Sequence, residues 1–188
     1  MARMIADPWF RCQALSIAAV HTSDRRARDR AISDAFAAAN ELNEPNRVVT
    51  VSAWPVKALA LTGDDKQVER EVTRLLGLIS REASPVRRAD ALRYLFGAVS
   101  VSTVAIARRV VNEFAGACVA PLASGKRNGK GESHLEECLP AIAQIDRELA
   151  AGLLLELSPA RSERTARAIE VKQHIPIATL LWWPNFDA

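Results

Sequence analysis

The sequence predicts an all-α protein, a right-handed α-α superhelix of about four to five stacked helix pairs. Three observations predict it. The first is a recurring helix start: Asp7-Pro8, Glu44-Pro45, Ser84-Pro85 and Ser158-Pro159 each set a capping or acidic residue before a proline and a helical pattern after it. Pro8 and Pro45 stand 37 residues apart, and Pro45 and Pro85 stand 40 apart. A period of this order marks a repeat unit that cannot bury its apolar face alone, so neighbouring units must stack. The second is composition: 49% of the 188 residues are hydrophobic but only 5% aromatic. Much of the apolar content is Ala, the best helix former, and small side chains let helices approach closely. The third is apolar periodicity, clearest at Val68, Val72, Leu75, Leu76 and Ile79, which share one helical face.

The length suits one domain, residues 1–188, read as repeats at about 7–43, 44–83, 84–120, 121–157 and 158–188. In the first unit Asp7 caps a helix that Pro8 opens, because the missing proline N–H is not needed at the first helical position. That helix is expected to run to about His21. Thr22, Ser23 and Asp24 break it and cap a second helix, with Ile32, Ala35, Phe36, Ala39 and Leu42 inside and Arg25, Arg26, Arg28, Asp29, Arg30 and Asp34 outside.

The second unit runs from Pro45 to a Thr62-Gly63-Asp64 break, where Gly63 suits a left-handed C-terminal position and Asp64 the next N-cap. Pro55 inside its first helix predicts either a kink or a helix beginning near Trp54, tolerable where the convex side of an array is exposed. The third unit pairs a helix from Pro85 to about Val99 with one from about Ser102 to Cys118. A fourth start is expected at Pro121, but the basic glycine-rich loop 124–131 follows it, as if that unit's first helix were lost or shortened. Ser133 and Glu136 have capping-box spacing and predict the next helix start. Residues 133–157 read as one helix kinked at Pro140 or as two, with Pro140 and Gly152 the candidate breaks. A last helix runs from Pro159 to about His174, before an apolar, aromatic tail.

The formal net charge is +3, carried mostly by Arg, with acidic residues interspersed. That permits a nucleic-acid or acidic partner without demanding one, and the Arg preference also has a bland source in GC-rich coding. Cys12, Cys118 and Cys138 show no close spacing and are expected as reduced, buried thiols. Arg11, Cys12 and Gln13 interrupt any signal-peptide core, and nothing approaches the ~20 apolar residues that span a bilayer. A soluble, cytoplasmic chain with no membrane partner is expected.

The helix-pair unit, its Pro-led first helix, the shared Arg11 and Arg88, the Ala14-Leu15 and Ala91-Leu92 pairs and the Gly63-Asp64 break resemble HEAT-like repeats of the armadillo superfamily. The resemblance covers most of residues 7–174 and is weakest over 121–140. It implies a scaffold that binds a protein partner on the concave surface of its second helices. A minority of such proteins bind nucleic acid, among them DNA glycosylases; no motif of theirs transfers to numbered positions here.

Direct chemistry is sparse. Gly125 to Gly129 encloses three residues where a phosphate-binding loop needs four, and Lys130 is followed by Gly131, so a connecting loop is expected. His134 and Cys138 have the spacing of two ligands on one helical face, but zinc needs two more, and neither a metal nor a cofactor is expected. His21 and His174 stand where helix ends favour imidazolium. Asp64-Asp65 and Glu136-Glu137 read as helix first turns. Arg25, Arg26, Arg28, Arg30, Arg70, Arg74, Arg108 and Arg109 all fall on second helices, where they form either an electropositive groove or a solvated mixed-charge face. The partner-binding candidates are Arg26, Arg30, Arg70, Arg74, Arg108 and Arg109, together with Trp182 and Trp183. Trp182, Trp183 and Phe186 read as a cap folded over the last unit or as a contact for a homodimer or another partner.

Overall fold

The computed structural model describes residues 2–123 and 129–171. Among these the protein is all-helical, with nine α-helices and no strand: α1 (Pro8–Val20), α2 (Arg25–Asn40), α3 (Pro45–Leu61), α4 (Asp65–Ile79), α5 (Pro85–Val99), α6 (Val104–Ala123), α7 (Gly129–Ile145), α8 (Arg147–Leu154) and α9 (Pro159–Val171). A short 3-10 turn at Ala2–Met4 precedes them.

All four proline-led starts are helix starts. The Asp7 carboxylate accepts from Trp9 N at 2.8 Å, and Ser84 Oγ accepts from Arg87 N at 3.4 Å. Glu44 makes no side-chain cap and pairs instead with Arg47 and Arg87 at 3.8 and 3.6 Å. Gly63 takes φ +76°, the left-handed conformation that suits glycine after a helix, and the Asp64 carboxylate accepts from Gln67 N at 3.1 Å to start α4.

Odd-numbered helices form a continuous row, α1 against α3, α3 against α5, α5 against α7 and α7 against α9. Each of α2, α4, α6 and α8 packs on the helix before it, and α4 also meets α6. The first turns of α2 and α4 face each other, and Arg74 near the end of α4 reaches Asn40 at the end of α2, so these two run in the same direction. Asp65 and Lys66 of α4 lie beside Ala105 of α6, and Thr73 lies beside Arg109, so α4 and α6 are also parallel.

The core centres on α3, every residue of which from Val48 to Ala60 is buried between α1, α2, α4 and α5. An exposed convex side for the first helices therefore does not hold at α3. Most of that run is Val, Ala, Ser and Thr, small enough for helices to approach on every side, and burial of each Val or Leu contributes about 1.5–3 kcal/mol. Pro55 does not start the helix: α3 runs through it as one element from Pro45 to Leu61. With its amide oxygen turned to the indoles, Gln13 of α1 accepts from Trp54 Nε1 at 3.2 Å and Trp9 Nε1 at 3.1 Å, tying α1 to α3.

The fourth unit departs most from expectation. α6 continues past Pro121 to Ala123, and α7 begins at Gly129, ahead of the supposed capping box. Ser133 does not cap: its hydroxyl donates to the Gly129 carbonyl at 2.7 Å, one turn back inside the helix. Glu136 and Glu137 sit mid-helix, not in a first turn. Pro140 and Gly152 lie within α7 and α8, and the break falls at Asp146, whose extended backbone and side chain cap α8 through Leu149 N at 3.0 Å.

Candidate interaction surface

The even-numbered helices carry the arginines singled out by the sequence, and their surroundings divide them. On α4, Arg74 donates to Glu71 at 2.8 Å and to Asn40 Oδ1 of α2 at 3.3 Å, with its guanidinium 5.8 Å from the Phe36 ring centroid. On α6, Arg109 donates to Thr73 Oγ1 at 3.1 Å and lies 3.6 Å from Glu69, both on α4. Arg108 reaches Asp146, the cap of α8, at 3.1 Å. These three brace successive even helices against one another.

Arg26 and Arg30 of α2 are different. Both are exposed, neither forms an ion pair among the described residues, and Arg30 Nε donates only to the Arg26 carbonyl at 3.3 Å. Lys66 of α4 is likewise exposed with no ion pair among the described residues, and Arg70 lies 3.6 Å from Glu71 with its side chain 70% exposed. Between the starts of α2 and α4 opens a cleft of about 500 Å³, walled by Arg25, Arg28, Asp29, Asp64 and Gln67 and floored by the end of α3.

The even helices also carry exposed glycines. Gly77 of α4, Gly116 of α6 and Gly152 of α8 are exposed, and a Cβ added at any of them meets nothing within 4 Å. Thr73 marks the level of Arg109, so Gly77, one turn on, and Gly116, two turns on, flank the α4–α6 seam.

A second polar cluster joins α5 to α7. Arg93 pairs with Glu137 at 2.6 Å and with Asp90 at 3.5 Å, and His134 Nε2 stands 3.6 Å from Asp90. Burial, reinforced by Arg93, pulls the His134 imidazole below its ordinary range. Asn46, Arg87, Asp90, Lys130, Ser133 and His134 line a cavity of about 180 Å³ there. A histidine beside a carboxylate needs a nucleophile to form a hydrolytic triad. Ser133 is turned to the Gly129 carbonyl, and burial pushes the Cys138 thiol up, which keeps it protonated. Cys12 and Cys118 are also buried, with thiols pushed up to about 12.

Among the described residues no group of three or more His, Cys, Asp and Glu gathers as metal ligands, and no helix is long and apolar enough to cross a membrane. Trp182, Trp183, Phe186, His174 and the loop segment 124–128 lie outside the described residues. The sequence did not point to Lys57, a lysine only 3% exposed within α3, whose ammonium is pushed down by burial. Its apolar flanks, Val56 and Ala58, were the only signal. Compared with protein-family models, with curated proteins and with solved structures, the chain matches none.

Proposed function

We propose that the chain is a non-enzymatic protein-interaction scaffold whose partner lies across the outward face of the even helices. The observation that carries this reading is a coincidence on the even helices: exposed cations with no ion pair among the described residues stand there together with exposed glycines whose added Cβ would meet nothing within 4 Å. In mid-helix, as at Gly116, glycine costs about 1 kcal/mol relative to Ala, and a surface free of Cβ atoms lets another backbone approach closely.

The HEAT-like reading of the fold is part of the proposal. The proline-led helices α1, α3, α5 and α9 all fall in the odd row, each followed by a partner helix or, for α9, by the tail. Four pairs with α9 opening a fifth would wind as a right-handed superhelix, in a single domain of a cytoplasmic protein. The tail with Trp182 and Trp183 is then a second contact, for a partner or for another copy.

The alternative is nucleic acid, favoured by the grouping of Arg26, Arg30, Lys66 and Arg70. Against it, Asp29, Asp65, Glu69 and Glu71 are interspersed among these cations. Affinity capture of the tagged protein from native extract, with and without nuclease, separates the two. A discrete protein partner that survives nuclease is the expected result. Recovery of nucleic acid, or of proteins that vanish with nuclease, would overturn it, the more so if binding to duplex DNA fell with a log-log salt slope of about −0.9 per phosphate contact.

A further inference from the structure

The following inference rests on the reading of the even helices as the partner surface and names the chemistry of what binds there. Because α2 and α4 run parallel with their first turns adjacent, Arg26 and Arg30 in the first two turns of one helix and Lys66 and Arg70 in the first two turns of the other stand at the same end of the pair. Within each helix the two cations are four residues apart and stack on one face. The carboxylates nearby are already engaged. Asp24 accepts from Arg26 N at 2.9 Å and Asp64 from Gln67 N at 3.1 Å, each at a helix N-terminus whose dipole offsets its charge. Glu71 takes Arg74 at 2.8 Å and lies farther from Arg70, at 3.6 Å, and Glu69 takes Arg109. Asp65 is exposed in the first turn of α4, where the dipole again offsets it. Asp29 is shared between Arg25 and Arg28, each at 3.8 Å, so both guanidiniums keep donors to spare toward the cleft.

We propose that this four-cation patch seats an acidic segment of a protein partner, its carboxylates forked by Arg26 and Arg30 and met by Lys66 and Arg70. The cleft behind, at about 500 Å³, holds one further acidic side chain between Arg25 and Arg28. Guanidinium suits this task because its planar fork matches a carboxylate with two parallel hydrogen bonds. The extent of the patch favours a protein segment over a nucleic acid. Arg26 to Arg30 covers about 6 Å of helix axis, and Asp29, Asp65 and Glu69 border it. A duplex presents a charge about every 1.7 Å of its axis and would run past the patch onto those carboxylates, whereas a few Glu or Asp side chains fit within it.

The test is fluorescence anisotropy on the full chain with three probes: a fluorescein-labelled glutamate-rich 15-residue peptide, a lysine-rich peptide of equal length, and a 15-base-pair DNA duplex. The acidic peptide should bind and the lysine-rich one should not. Arg26→Glu with Arg30→Glu should weaken the acidic peptide at least about tenfold, and Lys66→Glu alone should weaken it less. These side chains are exposed and without ion pairs among the described residues, so circular dichroism and melting should stay as in the wild type. An acidic peptide that does not bind, or binds the charge-reversed variant equally well, overturns the inference, and so does a duplex that binds more tightly through the same residues. A partner captured despite nuclease, and lost on Gly116→Arg but not on the arginine reversal, would leave the scaffold reading standing and sink this one alone.

Discussion

Arg93 of α5 and Glu137 of α7 meet at 2.6 Å, with the arginine side chain only 17% exposed. Arg93 also lies 4.8 Å over the Tyr94 ring, and its Nε has no hydrogen-bond partner among the described residues; Glu137 makes its shortest ion pair. Removing that carboxylate leaves a half-buried cation whose one remaining ion pair among the described residues is Asp90 at 3.5 Å. Glu137→Gln should lower stability by about 1–3 kcal/mol, read as a shift in urea midpoint at unchanged slope. The lower half of that range is expected, since the 44% exposure of Glu137 lets water screen the pair.

Acid should destabilise the fold in two stages. Burial, with Arg93 beside it, holds His134 below its ordinary value of 6.5 when folded. The unfolded chain then binds more protons, so stability is complete above that value and falls as pH drops through it. The Arg164 hydrogen bond, together with Arg161, holds Glu136 below its ordinary 4.5, so its contribution is present above 4.5 and disappears further down. His134→Gln should flatten the first decline and Arg164→Gln the second. Urea unfolding measured across about pH 7 to 3 checks both.

Gly116→Ala should stabilise. Nothing lies within 4 Å of the added Cβ, and Ala is preferred over Gly in a helix interior by about 0.5–1 kcal/mol. A thermal melt that rises while partner capture weakens is the outcome expected if the glycine serves the interface.

Phe114 of α6 is fully buried in the core that α3 and α5 share with α6. Phe114→Ala should cost about 3–5 kcal/mol through lost contacts and the cavity left behind. Equilibrium unfolding gives the value directly.

Where local chemistry decides, the fold was legible. Asp7, Ser84 and Asp64 read as caps and are caps, and Gly63 read as a left-handed stop and is one. Legibility ended where tertiary packing overrides propensity. Pro55 and Pro140 are helix breakers in isolation, yet both sit in helices whose burial on several sides outweighs one missing hydrogen bond. The break at Asp146 carries neither Gly nor Pro, only an acidic residue that needed an extended backbone to cap α8. For the surface, the grouping of arginines on second helices was visible, but their division was not. Arg74, Arg108 and Arg109 find partners on other helices, so only the packed arrangement separates them from Arg26 and Arg30. Lys57 was invisible for the same reason.

The central claim is that the outward face of the even helices is the surface a partner occupies. The most direct test compares three tagged forms in nuclease-treated extract: the wild type, Gly116→Arg on that face, and Arg47→Glu at the start of α3 in the odd row. Both substituted positions are exposed, so both variants should melt close to the wild type. The predicted result is a discrete protein captured by the wild type and by Arg47→Glu and lost on Gly116→Arg. Equal capture by all three forms, or loss on Arg47→Glu alone, would contradict it.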